Sequence, residues 1–109
     1  MADDYKVLAQ ANPSATTLTG AYTVPASTQT IISTVVVTNR SATPTTFRLS
    51  VAVAGAADSN EQYIAYDVAI GANETISLTL GITMDATDVL RVYATLATLS
   101  FNVFGVEKT

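Results

Sequence analysis

Any chemistry in this chain would have to be done by oxygen ligands, because it contains no histidine and no cysteine. That removes the commonest general base, thiolate nucleophiles and the usual zinc ligands together. Asp58-Ser59-Asn60-Glu61 and Asp85-Ala86-Thr87-Asp88 each put two carboxylates on one short loop. Calcium takes about six to eight oxygens, so either loop supplies only part of a shell, and neither has full calcium-loop spacing. Asp67, Asp85 and Asp88 could converge as hydrolytic carboxylates, but such sites also need an apolar pocket that raises one pKa, and usually an aromatic platform. No Gly-rich phosphate loop and no Ser-base pairing accompanies them. The reading is a protein that is not an enzyme, with no cofactor and no metal.

Two triplets, Asn39-Arg40-Ser41 and Asn73-Glu74-Thr75, match the N-glycosylation pattern. Both fall at expected strand ends, where Asn tolerates positive φ and bonds its own backbone, so they are read as turns. Tyr5, Tyr22, Tyr63, Tyr66 and Tyr93 offer large contact area with a polar tip. By strict alternation Tyr63 and Tyr66 take opposite faces of one strand, leaving at most one outward.

Lys6, Arg40, Arg48, Arg91 and Lys108 are scattered singly against nine acids, for a net charge of -4. Nucleic acid binding needs a clustered basic face, which excludes that partner class. Ser and Thr interrupt every apolar run well short of the roughly 18 residues that span a bilayer, so no membrane partner is expected. The opening MADDYKV lacks a basic and then apolar leader, and use without Sec export is expected. Only 13% of residues are charged while 49% are hydrophobic. A surface so poor in charge and rich in Thr, Ala and Val is explained if neighbouring subunits cover much of it.

The elements that would position these residues follow a period of two. Phe47, Leu49, Val51 and Val53 form one apolar face; Ile64, Tyr66, Val68 and Ile70 form another. Ile76, Leu78 and Leu80 repeat the pattern, as do Leu90, Val92, Ala94 and Leu96. The last strand, near Leu99 to Val106, carries two apolar faces, with Phe104 and Val106 on the second. Ile31 to Val37 is apolar on both faces and is read as a central or oligomer-buried strand. Turn signals recur about every ten residues, and only Ala54 to Gln62 suggests a helical turn. The prediction is all-β: a single antiparallel β-sandwich over residues 1–109, jelly-roll or Ig-like, of about eight strands, with residues 1–4 as a flexible or partner-docked arm. Ile31, Val35, Val37 and Tyr5 are the candidate subunit contacts. Asn39, Arg40, Asp58 and Asn60 are the candidate exposed-loop residues.

In order, Tyr22-x-Val24-Pro25-Ala26, Val37-x-Asn39-Arg40-Ser41, Ala65-Tyr-Asp-Val-Ala-Ile70 with Gly71-x-Asn73-Glu74-Thr75, and Asp88-Val-Leu-Arg-Val-Tyr93 frame the chain. Over Tyr5 to Glu107 this frame resembles small β-sandwich virion proteins of tailed bacteriophages. The resemblance implies a non-catalytic structural role, as capsid decoration or head-tail accessory protein, with no family active site to carry over. It implies location in the virion after assembly in the bacterial cytoplasm. The expected partners are copies of itself, as in a trimer, and the major capsid or tail protein. The alternative expectation is a receptor- or glycan-binding module using loops Asn39 to Pro44 and Gly55 to Gln62 with a Tyr platform.

Overall fold

A computed structural model describes residues 2–109. Among these described residues nine strands form: β1 (Asp3–Ala11), β2 (Thr19–Thr23), β3 (Gln29–Asn39), β4 (Thr45–Ala52), β5 (Tyr63–Ile70), β6 (Thr75–Leu78), β7 (Ile82–Met84), β8 (Val89–Ala94) and β9 (Leu99–Lys108). They make two antiparallel sheets, one ordered β1-β9-β3-β6 with β7 also on β3, the other β2-β8-β4-β5. β6 pairs with Val35 to Thr38 and β7 with Thr30 to Ile32, so they are one interrupted strand along the same edge of β3. Counted that way there are eight strands.

The pairing also decides the topology. First pairs with last (β1 and β9), second with next to last (β2 and β8), then β3 with β6 and β4 with β5. That is one long hairpin folded over on itself, the jelly roll, rather than an Ig-like order.

Alternation fills the space between the sheets. Leu99, Phe101 and Val103 from β9 meet Leu90, Val92 and Ala94 from β8, all fully buried. Phe47 stands edge-on to Phe101, with ring centroids 6.1 Å apart. Ile32, Val35, Val37, Leu49 and Ile70 extend the core, with Tyr22, Val24 and Met84 also in it. Val51 packs against it, but Val53 leaves the sheet in a short 3₁₀ turn and is 70% exposed. Leu80 falls in the break between β6 and β7 and is exposed as well. The expected helical turn between 54 and 62 becomes two 3₁₀ turns, Val53–Gly55 and Asn60–Gln62.

The expected arm is a strand instead. Asp3 and Asp4 pair with Lys108 and Glu107, and Ala2 exchanges backbone hydrogen bonds with Thr109. The ladder satisfies peptide groups that a loose arm would leave to water; Met1 lies outside the described residues.

A polar group closes the sandwich at this end. The Tyr22 hydroxyl donates to Glu107 Oε2 at 2.5 Å and lies 2.8 Å from Thr30 Oγ1, while Lys6 Nζ pairs with Glu107 Oε1 at 2.6 Å. The Lys6 and Tyr22 hydrogen bonds hold the Glu107 carboxyl below its ordinary 4.5 in spite of burial. A depressed folded-state pKa means that this stabilisation is present above about pH 4.5 and is lost as pH falls through the lower folded value. Burial, then the bond to Glu107, pushes Tyr22 up to about 12. Its contribution is therefore complete below pH 10 and lost as pH rises through about 12. Urea unfolding of Tyr22→Phe at neutral pH is expected to show a loss of about 1–2 kcal/mol, the cost of a buried carboxylate deprived of one donor. The same variant should lose the part of the alkaline limb that Tyr22 supplies, and Glu107→Gln the part of the acid limb that Glu107 supplies.

Candidate functional surfaces

The outer face of the β1-β9-β3 sheet is the first surface. Tyr5 and Ile31 are both in register with Val106, one from each side, and Val7 lies opposite Phe104 next along β1. The β9 alternation turns Phe104 and Val106 away from the core, where both are half-buried. Tyr5 is 78% exposed, Val7 49% and Ile31 41%. Five large apolar side chains thus share one face, with Asp3, Lys108 and Gln29 across its end. The sequence-predicted contacts Tyr5 and Ile31 come together here.

Val35 and Val37 do not join them. Both are fully buried between the sheets, and only Val36 faces outward, half-buried and opposite Asn102. The strand is apolar on both sides because it is central to its sheet, with β9 on one edge and β6 and β7 on the other. The two valines are therefore corrected to core residues.

Asn39 is corrected too: it is 1% exposed and ties turns together. Its amide nitrogen donates to the Thr43 and Gly71 carbonyls, at 2.9 and 3.0 Å. Its Oδ1 accepts from Ser41 N and Thr98 Oγ1, each at 3.1 Å. Arg40 is exposed and donates to Asn12 Oδ1 and the Ala97 carbonyl. Asn73, the other triplet asparagine, does sit in a turn with φ of 53°. The segments holding Arg40 and Asp58 lie at opposite ends of β4, so the two loops named together on sequence do not make one site.

The outer face of the β8-β4-β5 sheet is the second surface. Arg48 is in register with Tyr93 on β8, while on β5 the Phe47–Val68 and Leu49–Ala65 pairs leave Tyr66 and Asp67 together opposite it. This bulge, with Asp67 at φ 49°, lets the carboxylate take Arg48 Nε at 2.7 Å and Nη2 at 3.4 Å. The guanidinium carbon lies 4.1 Å from the Tyr66 ring centre and 4.4 Å from that of Tyr93, a cation-π sandwich. A second irregularity leaves Ile64 unpaired between Tyr63 and Ala65. Tyr63 and Tyr66 consequently meet edge to face at 5.0 Å rather than occupying opposite faces. The same shifts expose Ile64, which the alternation had put inward with Val68 and Ile70.

Beside these rings lies the turn carrying Asp58 and Asn60, both exposed. Tyr63 donates to Asp58 Oδ2 at 3.1 Å, and partial burial followed by that carboxylate raises its phenol above the ordinary value, so it stays a donor at neutral pH. Ser59 donates to Glu61 at 2.6 Å and lowers its carboxyl pKa. Sequence reasoning named Tyr93 only among five tyrosines with contact area to offer and left Arg48 out of any site, because only the register across β4, β5 and β8 shows that they meet. At the other acidic loop, Asp88 accepts from the Ala54 and Asp85 backbone N–H groups, so its carboxylate braces turns. Among the described residues no cluster of three His, Cys, Asp or Glu could hold a metal ion. In comparisons with protein-family models, curated proteins and solved structures, nothing matches the chain. The resemblance to virion proteins therefore rests on its sequence words alone.

Proposed function

We propose that this protein is a non-catalytic structural component of a tailed-phage virion, a capsid decoration or head-tail accessory protein that assembles with copies of itself. The observation that carries this reading is the contiguous apolar row Tyr5–Val106–Ile31, with Val7 and Phe104 beside it, on the outer face of the sheet. An exposed apolar cluster with a polar rim marks an interaction surface. Asp3 and Lys108 at its end give the rim both signs of charge, which suits pairing with an identical face better than with a strongly charged one. The virion setting rests on the sequence resemblance, with support at the level of analogy from the jelly-roll order, an architecture that recurs in viral coat domains.

Sedimentation at micromolar concentration tests the self-association. Wild-type protein is expected to run as an oligomer and Tyr5→Glu/Ile31→Glu as a monomer with an unchanged circular dichroism spectrum. Purified protein should also co-sediment with virions or empty heads. A strict monomer that binds neither would overturn the proposal.

A further inference from the structure

We propose that the outer face of the β8-β4-β5 sheet carries a binding site for a neutral saccharide, formed by Tyr63, Tyr66, Asn60 and Asp58. Tyr63 and Tyr66 stand at 88° to each other, so one ring floors and the other walls a corner. The corner opens into a cleft of about 420 Å³ lined by Asn60, Tyr63 and Tyr66. That volume lies within the range of small-molecule sites. A pyranose has an apolar C–H face and an equatorial fringe of hydroxyls. The corner offers the matching pair: aromatic surface on Tyr66, which is 57% exposed, and hydrogen-bonding groups at its edge. The Asn60 side-chain amide makes no hydrogen bond among the described residues, so both its donor and its acceptor are free for a vicinal diol.

The rings are held in place before any ligand arrives. Arg48, clamped by Asp67 and lying between Tyr66 and Tyr93, fixes the Tyr66 ring, and Asp58 fixes the Tyr63 hydroxyl. Little side-chain entropy remains to be lost on binding, which favours a weakly interacting ligand such as a sugar. Charge narrows the choice further. The Asp58 carboxylate lies at the Tyr63 hydroxyl, and Glu61 follows Asn60 in the chain, so negative charge beside the cleft disfavours an anion. A cation is disfavoured because the Arg48 guanidinium already lies over the Tyr66 ring. A neutral polyhydroxyl ligand fits both constraints.

This face is on the other sheet from Tyr5 and Ile31, so sugar binding and self-association can be present or absent independently. A panel of neutral oligosaccharides ending in glucose, galactose, mannose or N-acetylglucosamine, screened on an array and followed by saturation-transfer NMR, tests the inference. At least one is expected to bind wild-type protein, with affinity falling tenfold or more in Tyr66→Ala and in Asn60→Ala. Tyr5→Glu/Ile31→Glu should bind as wild type does. Tyr66→Leu, which keeps apolar cover over Arg48 but removes the ring, must lose binding while retaining the wild-type urea midpoint. No binding to any neutral glycan, binding only to acidic ones, or binding that survives Tyr66→Leu would each overturn it.

Discussion

Gly105→Ala should lower stability by about 3 kcal/mol or more, a fall in Tm of roughly 15 °C for a domain of this size. The reason is space, not dihedral freedom. A Cβ built on Gly105 would collide with the Ile31 carbonyl oxygen and lie 3.0 Å from both Ile32 Cα and Leu8 Cδ1. Two of those obstacles are backbone of β3, which cannot swing aside as a side chain can. The crowding arises where both neighbours of β9 are irregular. β1 carries Leu8 as an extra residue between Val7 and Ala9, and β3 carries Ser33 between Ile32 and Thr34. Gly81 is the opposite case, with φ of 63° and nothing within 4 Å of an added Cβ. Its alanine variant should cost only about 1 kcal/mol, the price of a left-handed backbone. Thermal unfolding followed by circular dichroism compares the two, and equal Tm values would contradict this packing around β9.

Asn39→Asp should cost about 3 kcal/mol, although the side chain barely changes shape. The amide nitrogen serves two carbonyls, those of Thr43 and Gly71, and the carbonyl oxygen takes the Ser41 N–H, so its orientation is fixed by its neighbours. A carboxylate would lose both donors and set negative charge against the two carbonyls at a buried position. Each acceptor left unpaired costs about 1–3 kcal/mol. Asn39→Ser, small enough to admit water, should recover part of the loss. Urea midpoints for the three proteins check the order, and an Asp variant as stable as wild type would mean that the turns hold without this knot.

Much of the fold was legible because alternation and burial agree. Phe47, Leu49, Leu90, Val92, Phe101 and Val103 all point inward as their spacing requires. The failures along β5 share one physical origin. A bulge inserts one residue, reverses every side chain beyond it, and depends on a partner strand that a local pattern cannot reveal. Hence Ile64 came out exposed and Tyr63 met Tyr66. β1 was missed because it is an edge strand, paired only with β9, whose residues Asp3 to Val7 are exposed on both faces; DDYKVLAQA carries no clean period of two. β7, at three residues, is too short to show one. Asn39 was misplaced because a polar residue buried by four hydrogen bonds looks, in sequence, like one left at the surface. Of the two surfaces, Ile31 was named for its place in a run apolar on both faces and Tyr5 for its place at the N-terminal end, but the Arg48–Tyr66–Tyr93 stack exists only through register.

The folded-hairpin order also bears on how the chain can be made. β9, which follows the other strands in chain order, lies between β1 and β3 at the middle of its sheet. While it is still inside the ribosome, the sheet has no centre, and both neighbours expose the edges that β9 will cover. Folding of that layer must therefore wait until β9 has emerged, and its long-range pairings make it slow by nature. During this interval the emerging chain is at greatest risk of pairing with another copy along open strand edges, so its yield in a cell should depend on chaperone supply and expression rate more than its native stability would suggest.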